Sequence, residues 1–320
     1  MSKILVTGSA GFIGFHVSKK LLESGNKVIG IDNYSDYYDV RLKKDKAQIL
    51  KKSPNFKEYI IDISEKKELD KVFLDEKFDL VINLAAQPGV RYALTNPFIY
   101  EKTNNLGFLN ILECCKEFGV KKIVYASSSS VYGGNKTFPF SEGQRTDNPI
   151  SLYAATKKYN ELLASCYSQL YGLNCIGLRL FTVYGPWNRP DMAIFIFCKK
   201  ILSGEEIELF NNGKMERDFT FIDDIVDGII LATKSNEKNT VFNLGRGETV
   251  QLKELVRVIE KEAGLKAKIR LSPIQKGDLE KTHSDITKAK KILGYKPKTR
   301  IPQGIKKFVE WYKEYYKEKK

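Results

Sequence analysis

Short apolar runs alternate with amphipathic stretches along the first half of the chain. Lys3–Thr7, Lys27–Ile31, Tyr59–Ile63, Leu80–Leu84, Lys122–Ala126 and Cys175–Leu180 read as strands, the last closing the series. Between them, Phe12–Ser24 (ended by Gly25), Glu65–Leu74, a long helix within Pro97–Phe118, and Leu152–Tyr171 carry apolar residues at helical spacing. Brief apolar strands separated by helices predict a parallel sheet covered on both faces.

The second half changes character at Gly185–Pro190, a loop with two prolines. Beyond it, Ala193–Leu202 predicts a helix, Ile207–Phe210 a short strand, and Phe221–Thr233 a helix returning to the first unit. Leu252–Ala263 and Ile305–Tyr316 are amphipathic helices. The predicted organisation is α/β: residues 1–184 form the sheet domain with 219–246 returning to it. Residues 185–218 and 247–320 form a smaller, discontinuous lobe for substrate.

The segment Ile4–Gly14 places a glycine turn, Gly8-Ser9-Ala10-Gly11-Phe12-Ile13-Gly14, between the first strand and the first helix. Gly8 permits the tight turn, Gly11 lets backbone approach a pyrophosphate, and Gly14 allows helix to pack closely on strand. The helix N-terminus supplies amide donors and the positive dipole end for phosphates. Asp32 ends the second strand. Its carboxylate suits the hydroxyls of an adenosine ribose and repels a 2′-phosphate, which predicts NAD rather than NADP on a Rossmann-type doubly wound sheet.

Tyr153 and Lys157 stand four apart on the predicted helix after the fifth strand and share one face. A tyrosine near its reference pKa of about 10 is a poor base at neutral pH. A neighbouring ammonium and a nicotinamide ring both favour the phenolate. Ser127–Ser130 follow the fifth strand, at the end of the sheet where open parallel sheets bind ligands. Hydroxyls there suit a sugar oxygen or the tyrosine itself.

Composition narrows the field. The 320 residues carry 53 Lys and Arg against 39 Asp and Glu, a net charge of +14. The lysines are spread along the chain, and their densest runs, Lys43–Lys46 and Lys317–Lys320, read as solvated surface. No nucleic-acid motif accompanies the charge, so no nucleic-acid partner is expected. Only His16 and His283 exist, which excludes a multi-histidine metal site. Five cysteines without CxxC spacing predict reduced thiols in the cytoplasm, Cys114 and Cys115 as core residues. No run approaches the roughly 18 apolar residues of a membrane span. Ile4–Val6 is too short for a signal peptide, and no membrane association is expected.

GSAGFIG, Leu84-Ala85-Ala86, the serine run before Val131-Tyr132-Gly133, and Tyr153-Ala154-Ala155-Thr156-Lys157 together resemble the extended short-chain dehydrogenase/reductase superfamily over essentially the whole chain. Asp32–Asp39, Ala86–Tyr92, Phe181–Trp187, Arg189–Met192 and Arg217–Thr220 are similar to the UDP-glucuronate 4-epimerases within it. The resemblance implies that Tyr153 takes the proton of the sugar 4-hydroxyl, with Ser128 as its hydroxyl partner. Lys157 tunes Tyr153 and binds the cofactor ribose. Hydride leaves C4 for NAD and returns to the other face of a transient 4-keto sugar.

Cofactor contacts implied by the resemblance are Gly8, Gly11, Phe12, Ile13, Gly14, Asp32, Asn33, Asp62, Ile63, Leu84, Ala85, Ala86 and Asn104, with Tyr153 and Lys157. Arg217 and Asp278 match positions that hold UDP, and Arg91 joins the substrate set. Gln275 and Thr182 stand where galactose epimerases often carry arginine and asparagine, in keeping with the glucuronate group. Ser129, Ser130, Thr182 and Arg189 are the candidate donors for a uronate carboxylate. A fixed, ionised carboxylate disfavours loss of CO₂ from the 4-keto intermediate, a β-keto acid. Dehydratases of the superfamily carry Asp-Glu where this chain has Ser129-Ser130, and decarboxylases carry glutamate at the Ser130 position. The main alternative is therefore a 4-epimerase for a neutral UDP-hexose, followed by a decarboxylase, a dehydratase or a silent NAD-binding protein. Pairing through long helices, usual in the superfamily, predicts a homodimer.

Overall fold

The computed structural model describes residues 1–274 and 279–317. Its centre is a sheet of β1 (Lys3–Thr7), β2 (Lys27–Asp32), β3 (Phe56–Ile60), β4 (Leu80–Asn83), β5 (Lys122–Ser128), β6 (Asn174–Leu180) and an edge strand near residue 240. All pairings are parallel, in the order β3-β2-β1-β4-β5-β6-edge. The order reverses between β1 and β4, so a crevice opens beyond their carboxyl ends.

The inner strands β1, β2, β4, β5 and β6 are almost wholly buried because both faces are covered. Ile4 and Val6 enter one apolar cluster and Leu5 the other. The helices that cover them are α1 (Phe12–Glu23), α2 (Val40–Lys51), α3 (Lys66–Glu76), the short α4 (Tyr92–Thr95) and α5 (Pro97–Tyr100), α6 (Gly107–Glu117) and α7 (Leu152–Tyr171). Between α5 and α6 the backbone runs through a π-helical turn, Glu101–Leu106. The long helix read within Pro97–Phe118 is thus three pieces on one path.

The rest of the chain forms β7 (Thr182–Tyr184), α8 (Ala193–Ser203), β8 (Glu206–Leu209), β9 (Glu216–Arg217), β10 (Phe219–Phe221), α9 (Ile222–Lys234), β11 (Thr240–Leu244), β12 (Val250–Gln251), α10 (Leu252–Ala263), β13 (Lys268–Leu271), α11 (Thr287–Leu293) and α12 (Ile301–Lys317). Strand β11 is the seventh strand of the large sheet, beside β6, so Cys175–Leu180 does not close the series. The apolar cluster on the α1 face continues without a break through α9 into Phe195, Leu255 and Phe308 on α8, α10 and α12. Asp218, between β9 and β10, ties these parts together. Its carboxylate accepts from the amides of Arg246 (2.7 Å), Gly247 (3.1 Å) and Ser284 (3.1 Å).

Two local expectations fail for identifiable reasons. The third strand lies at Phe56–Ile60, not Tyr59–Ile63: Phe56 pairs opposite Val28 and fills the core, while Ile60 is 65% exposed. The apolar run at 59–63 misled because its later members turn out of the sheet to line the crevice. Helix α2 was hidden by its lysines. Its buried stripe is Leu42, Lys43, Lys46, Ala47 and Leu50, so two residues of the lysine run face inward rather than water.

Candidate functional site

A crevice of about 580 Å³ runs along the carboxyl ends of β1, β2, β4, β5 and β6. Its floor is the β1–α1 turn. Gly8 sits at φ +70° and its amide donates to Ile31 O at 2.7 Å. A Cβ on Gly14 would lie 2.0 Å from Gly8 O, so only glycine lets α1 come this close. Gly11 caps α1 without a side chain, and Phe12, Ile13 and Gly14 line the crevice with the helix N-terminus.

Asp32 closes this end. It is nearly buried, and it accepts from Ala10 N at 3.1 Å and Tyr34 N at 2.9 Å. It therefore braces the glycine turn and also lines the crevice. Asn33 donates to Asp62 at 3.2 Å, beside Ile63. Burial would raise the Asp62 carboxyl, but hydrogen bonds from Ser64 and Asn33 outweigh it and hold the group below its ordinary range. Leu84 and Ala85, past β4, donate their amides to Thr7 Oγ1, each at 3.1 Å. With Ala86 they form the wall opposite α1.

The far end carries the candidate chemistry. Ser151 caps α7 by accepting from Ala154 N at 3.1 Å, which fixes Tyr153 in the first turn. Lys157, almost fully buried, turns its Nζ onto Ala126 O at 2.8 Å. Burial pushes its ammonium down to about 8. Burial likewise raises the Tyr153 phenol, while a hydrogen bond with Ser128 and the charge of Arg189 oppose that rise. Arg189 is thus a cation acting on the phenol in addition to Lys157, which stands one turn along α7. Ser128, Ser129, Ser130, Thr182 and Arg189 line the crevice beside Tyr153, and no carboxylate among the described residues lines this end.

Ser127 separates from the other serines. Its hydroxyl donates to Glu161 at 2.6 Å, within a buried bidentate pair between Glu161 and Arg179 at 2.8 Å for each bond. It anchors the strand end rather than facing a ligand through that hydroxyl.

Three expected site residues lie elsewhere. Asn104, in the π-helical turn, is buried: its amide accepts from Gln87 N at 2.7 Å and donates to Gln87 O and Thr156 Oγ1, each at 3.1 Å. It shapes the Gln87 segment, which does line the crevice, without lining it itself. Arg91 is exposed and packs over the Phe210 ring at 5.3 Å. Arg217 donates to the carbonyls of Glu216 (2.9 Å) and Glu280 (3.2 Å), outside the crevice. Asp278 and Gln275 fall outside the described residues.

Sequence reasoning missed the contribution of α2 and the loop before it. Lys43, Tyr37 and Tyr38 line the crevice. Lys43 donates to Ser35 O at 2.8 Å, and Lys46, fully buried, lies 5.5 Å from the Tyr38 ring centre and is pushed down to about 7 by burial. The signal was the apolar spacing of Leu42, Ala47 and Leu50 inside a charged run. His16 pairs with Pro186 O at 2.9 Å, and burial pushes its imidazole down to about 4.

The Lys157 shift has a measurable consequence. A buried ammonium with a lowered pKa opposes folding below pH about 8, and this opposition fades as pH rises toward the usual 10.5. Cofactor-stripped Lys157→Met should therefore be more stable than wild type at pH 7, by about 1–3 kcal/mol after loss of the Ala126 hydrogen bond. The gain should vanish near pH 10.5. Urea denaturation at both pH values checks this, and a variant less stable at pH 7 would contradict it.

The family model described as GDP-mannose 4,6 dehydratase matches residues 5–308. The chain is 48% identical to UDP-glucuronate 4-epimerase 4 of Arabidopsis thaliana over 333 residues, spanning 98% of this chain and 76% of that protein. The UDP-glucuronic acid 4-epimerase of Bacillus cereus, solved with UDP-glucuronic acid and NAD, superposes with a TM-score of 0.92 at 34% identity, covering 98% of this chain and 100% of that one. The UDP-glucose 4-epimerase of Thermotoga maritima, solved with UDP-glucose, superposes with a TM-score of 0.89, also at 34% identity, covering 98% and 99%. The chain belongs to the GDP-mannose 4,6 dehydratase family, within the extended short-chain dehydrogenase/reductase superfamily.

Proposed function

We propose that this protein is an NAD-dependent 4-epimerase that interconverts UDP-glucuronate and UDP-galacturonate. The observation that carries the reading is the sugar end of the crevice. A half-buried tyrosine faces a serine hydroxyl and an arginine charge, and no acid stands at Ser129 or Ser130. Elimination and assisted decarboxylation each need an acid in that position, whereas epimerisation needs a base that gives its proton back.

The floor of the crevice fits NAD. The cradle under α1 is one that a Cβ would fill at Gly14, and Asp32 presents a carboxylate where ribose hydroxyls would meet it. The groups that would hold it are Gly8, Gly11, Phe12, Ile13, Gly14, Asp32, Asn33, Asp62, Ile63 and Leu84–Ala86, with Lys157 at the nicotinamide ribose. Bound there, NAD supplies reversible two-electron oxidation of the sugar at C4.

Tyr153 takes the C4 hydroxyl proton and later returns it. Burial makes the phenolate costly, so the Ser128 hydrogen bond and the Arg189 charge favour the ionised form. Ser129, Ser130, Thr182 and Arg189 hold the uronate carboxylate, which keeps it ionised and fixed. The UDP moiety lies toward the smaller unit of residues 185–218 and 247–320. To reach its diphosphate, Arg217 leaves the carbonyls of Glu216 and Glu280.

Five unpaired cysteines fit a reducing cytoplasm. No described helix is long and apolar enough to cross a membrane. Exposed Phe98, Leu106 and Leu162, on α5, the π-helical turn and α7, offer an apolar face for a homodimer. Light scattering should give twice the chain mass, and a monomer at micromolar concentration would remove that assignment.

The neutral-hexose reading is kept by the similarity to the UDP-glucose 4-epimerase. Purified protein with NAD should convert UDP-glucuronate to UDP-galacturonate, followed by proton NMR of the anomeric signals. UDP-glucose should turn over at least about 100-fold less efficiently, the scale of one to two hydrogen bonds to a charged group. Comparable kcat/KM for the two nucleotides, or faster turnover of UDP-glucose, would overturn the uronate assignment.

A further inference from the structure

Arg189 reaches the crevice from the loop after β7, and its side chain is 21% exposed. It is held from behind. Its Nε donates to Asp191 Oδ1 at 3.0 Å and its Nη2 to Asp191 Oδ2 at 2.9 Å. The other Nη2 hydrogen faces Met192 Sδ at 3.4 Å. Of the five N–H donors of a guanidinium, this leaves the Nη1 pair for a ligand.

Asp191 is itself fixed by a residue 154 positions away. The Tyr37 phenol donates to Asp191 Oδ2 at 3.1 Å. Burial and the Asp191 charge push that phenol up to about 12, so it remains a neutral donor over the working range. Its ring packs edge-on against Tyr92 at 4.8 Å. A Cβ on Gly89 would come within 2.6 Å of the Tyr37 hydroxyl, so the chain passes close on that side as well. Tyr37 lies on the segment that begins at Asp32, which joins the ribose end of the crevice to the sugar end.

We infer that Asp191, locked by Tyr37, is a positioning residue for uronate recognition: it clamps the back edge of Arg189 so that one edge faces the substrate carboxylate in a single orientation. The inference rests on the UDP-glucuronate reading. An unclamped arginine would lose rotamer freedom each time it met a carboxylate, and the clamp places that loss in folding instead. A neutral hexose makes no use of the oriented edge, so the clamp acts on selectivity.

The test uses enzyme loaded with NAD, with binding of UDP-glucuronate and UDP-glucose measured by calorimetry and turnover measured beside it. For Asp191→Asn, Kd and KM for UDP-glucuronate should rise about tenfold, the scale of one lost charge-assisted contact, with a smaller change in kcat. UDP-glucose affinity should stay within about twofold. Tyr37→Phe, which keeps the ring, should move the same quantities in the same direction by about threefold. Equal weakening toward both nucleotides would mean that Asp191 only supports the loop, and overturns the inference. Unchanged or tighter UDP-glucuronate binding overturns it too, the latter by making Asp191 a competitor for Arg189. The wild-type arm separates the two readings. Without a wild-type preference for UDP-glucuronate, the functional reading and the inference both fall; if wild type prefers it and the variants keep that preference, only the inference falls.

Discussion

The close approach of α1 to the turn that precedes it governs the rest of the molecule. A helix can sit on that turn only if Gly14 has no side chain, since a Cβ would stand 2.0 Å from the Gly8 carbonyl. Once it does, the helix N-terminus opens into the crevice at the point where the strand order reverses. Asp32 then serves two needs at once, bracing Ala10 N and offering carboxylate oxygens to the crevice. The position of the cofactor floor fixes which ends of β5 and β6 face it, and so where Ser128, Tyr153 and Arg189 must stand.

At the other end, desolvation sets the chemistry. Lys157 and Tyr153 are both held where their charged forms are disfavoured. Such a site is poor at holding charge by itself and responsive to charge brought near it. Arg189 is the built-in part of that field, and its strength is offset by the Asp191 carboxylate at its back. The buried Glu161–Arg179 pair beneath Ser127 holds the strand end that carries Ser128, so the hydroxyl of Ser127 is an anchor while all four serines line the crevice.

How much of this was legible in the sequence follows from how local each feature is. The glycine turn and the Tyr153/Lys157 helix depend on neighbours within one strand–turn–helix unit, and their positions came out as expected. Helix α2 did not, because buried lysines disguise an amphipathic stripe as a charged surface run. The π-helical turn leaves no mark in the periodicity, nor do the hydrogen bonds of the Asn104 amide to Gln87 and Thr156. The Tyr37–Asp191–Arg189 arrangement joins parts of the chain 154 residues apart, and no pattern of spacing encodes it.

The central claim is that hydride leaves C4 of the sugar for NAD and returns to the same carbon. UDP-glucuronate carrying deuterium at C4 tests it most directly. After conversion in ordinary water, the product UDP-galacturonate should retain the deuterium at C4, read by NMR and mass spectrometry. Replacement of that deuterium by solvent hydrogen during turnover would contradict the account.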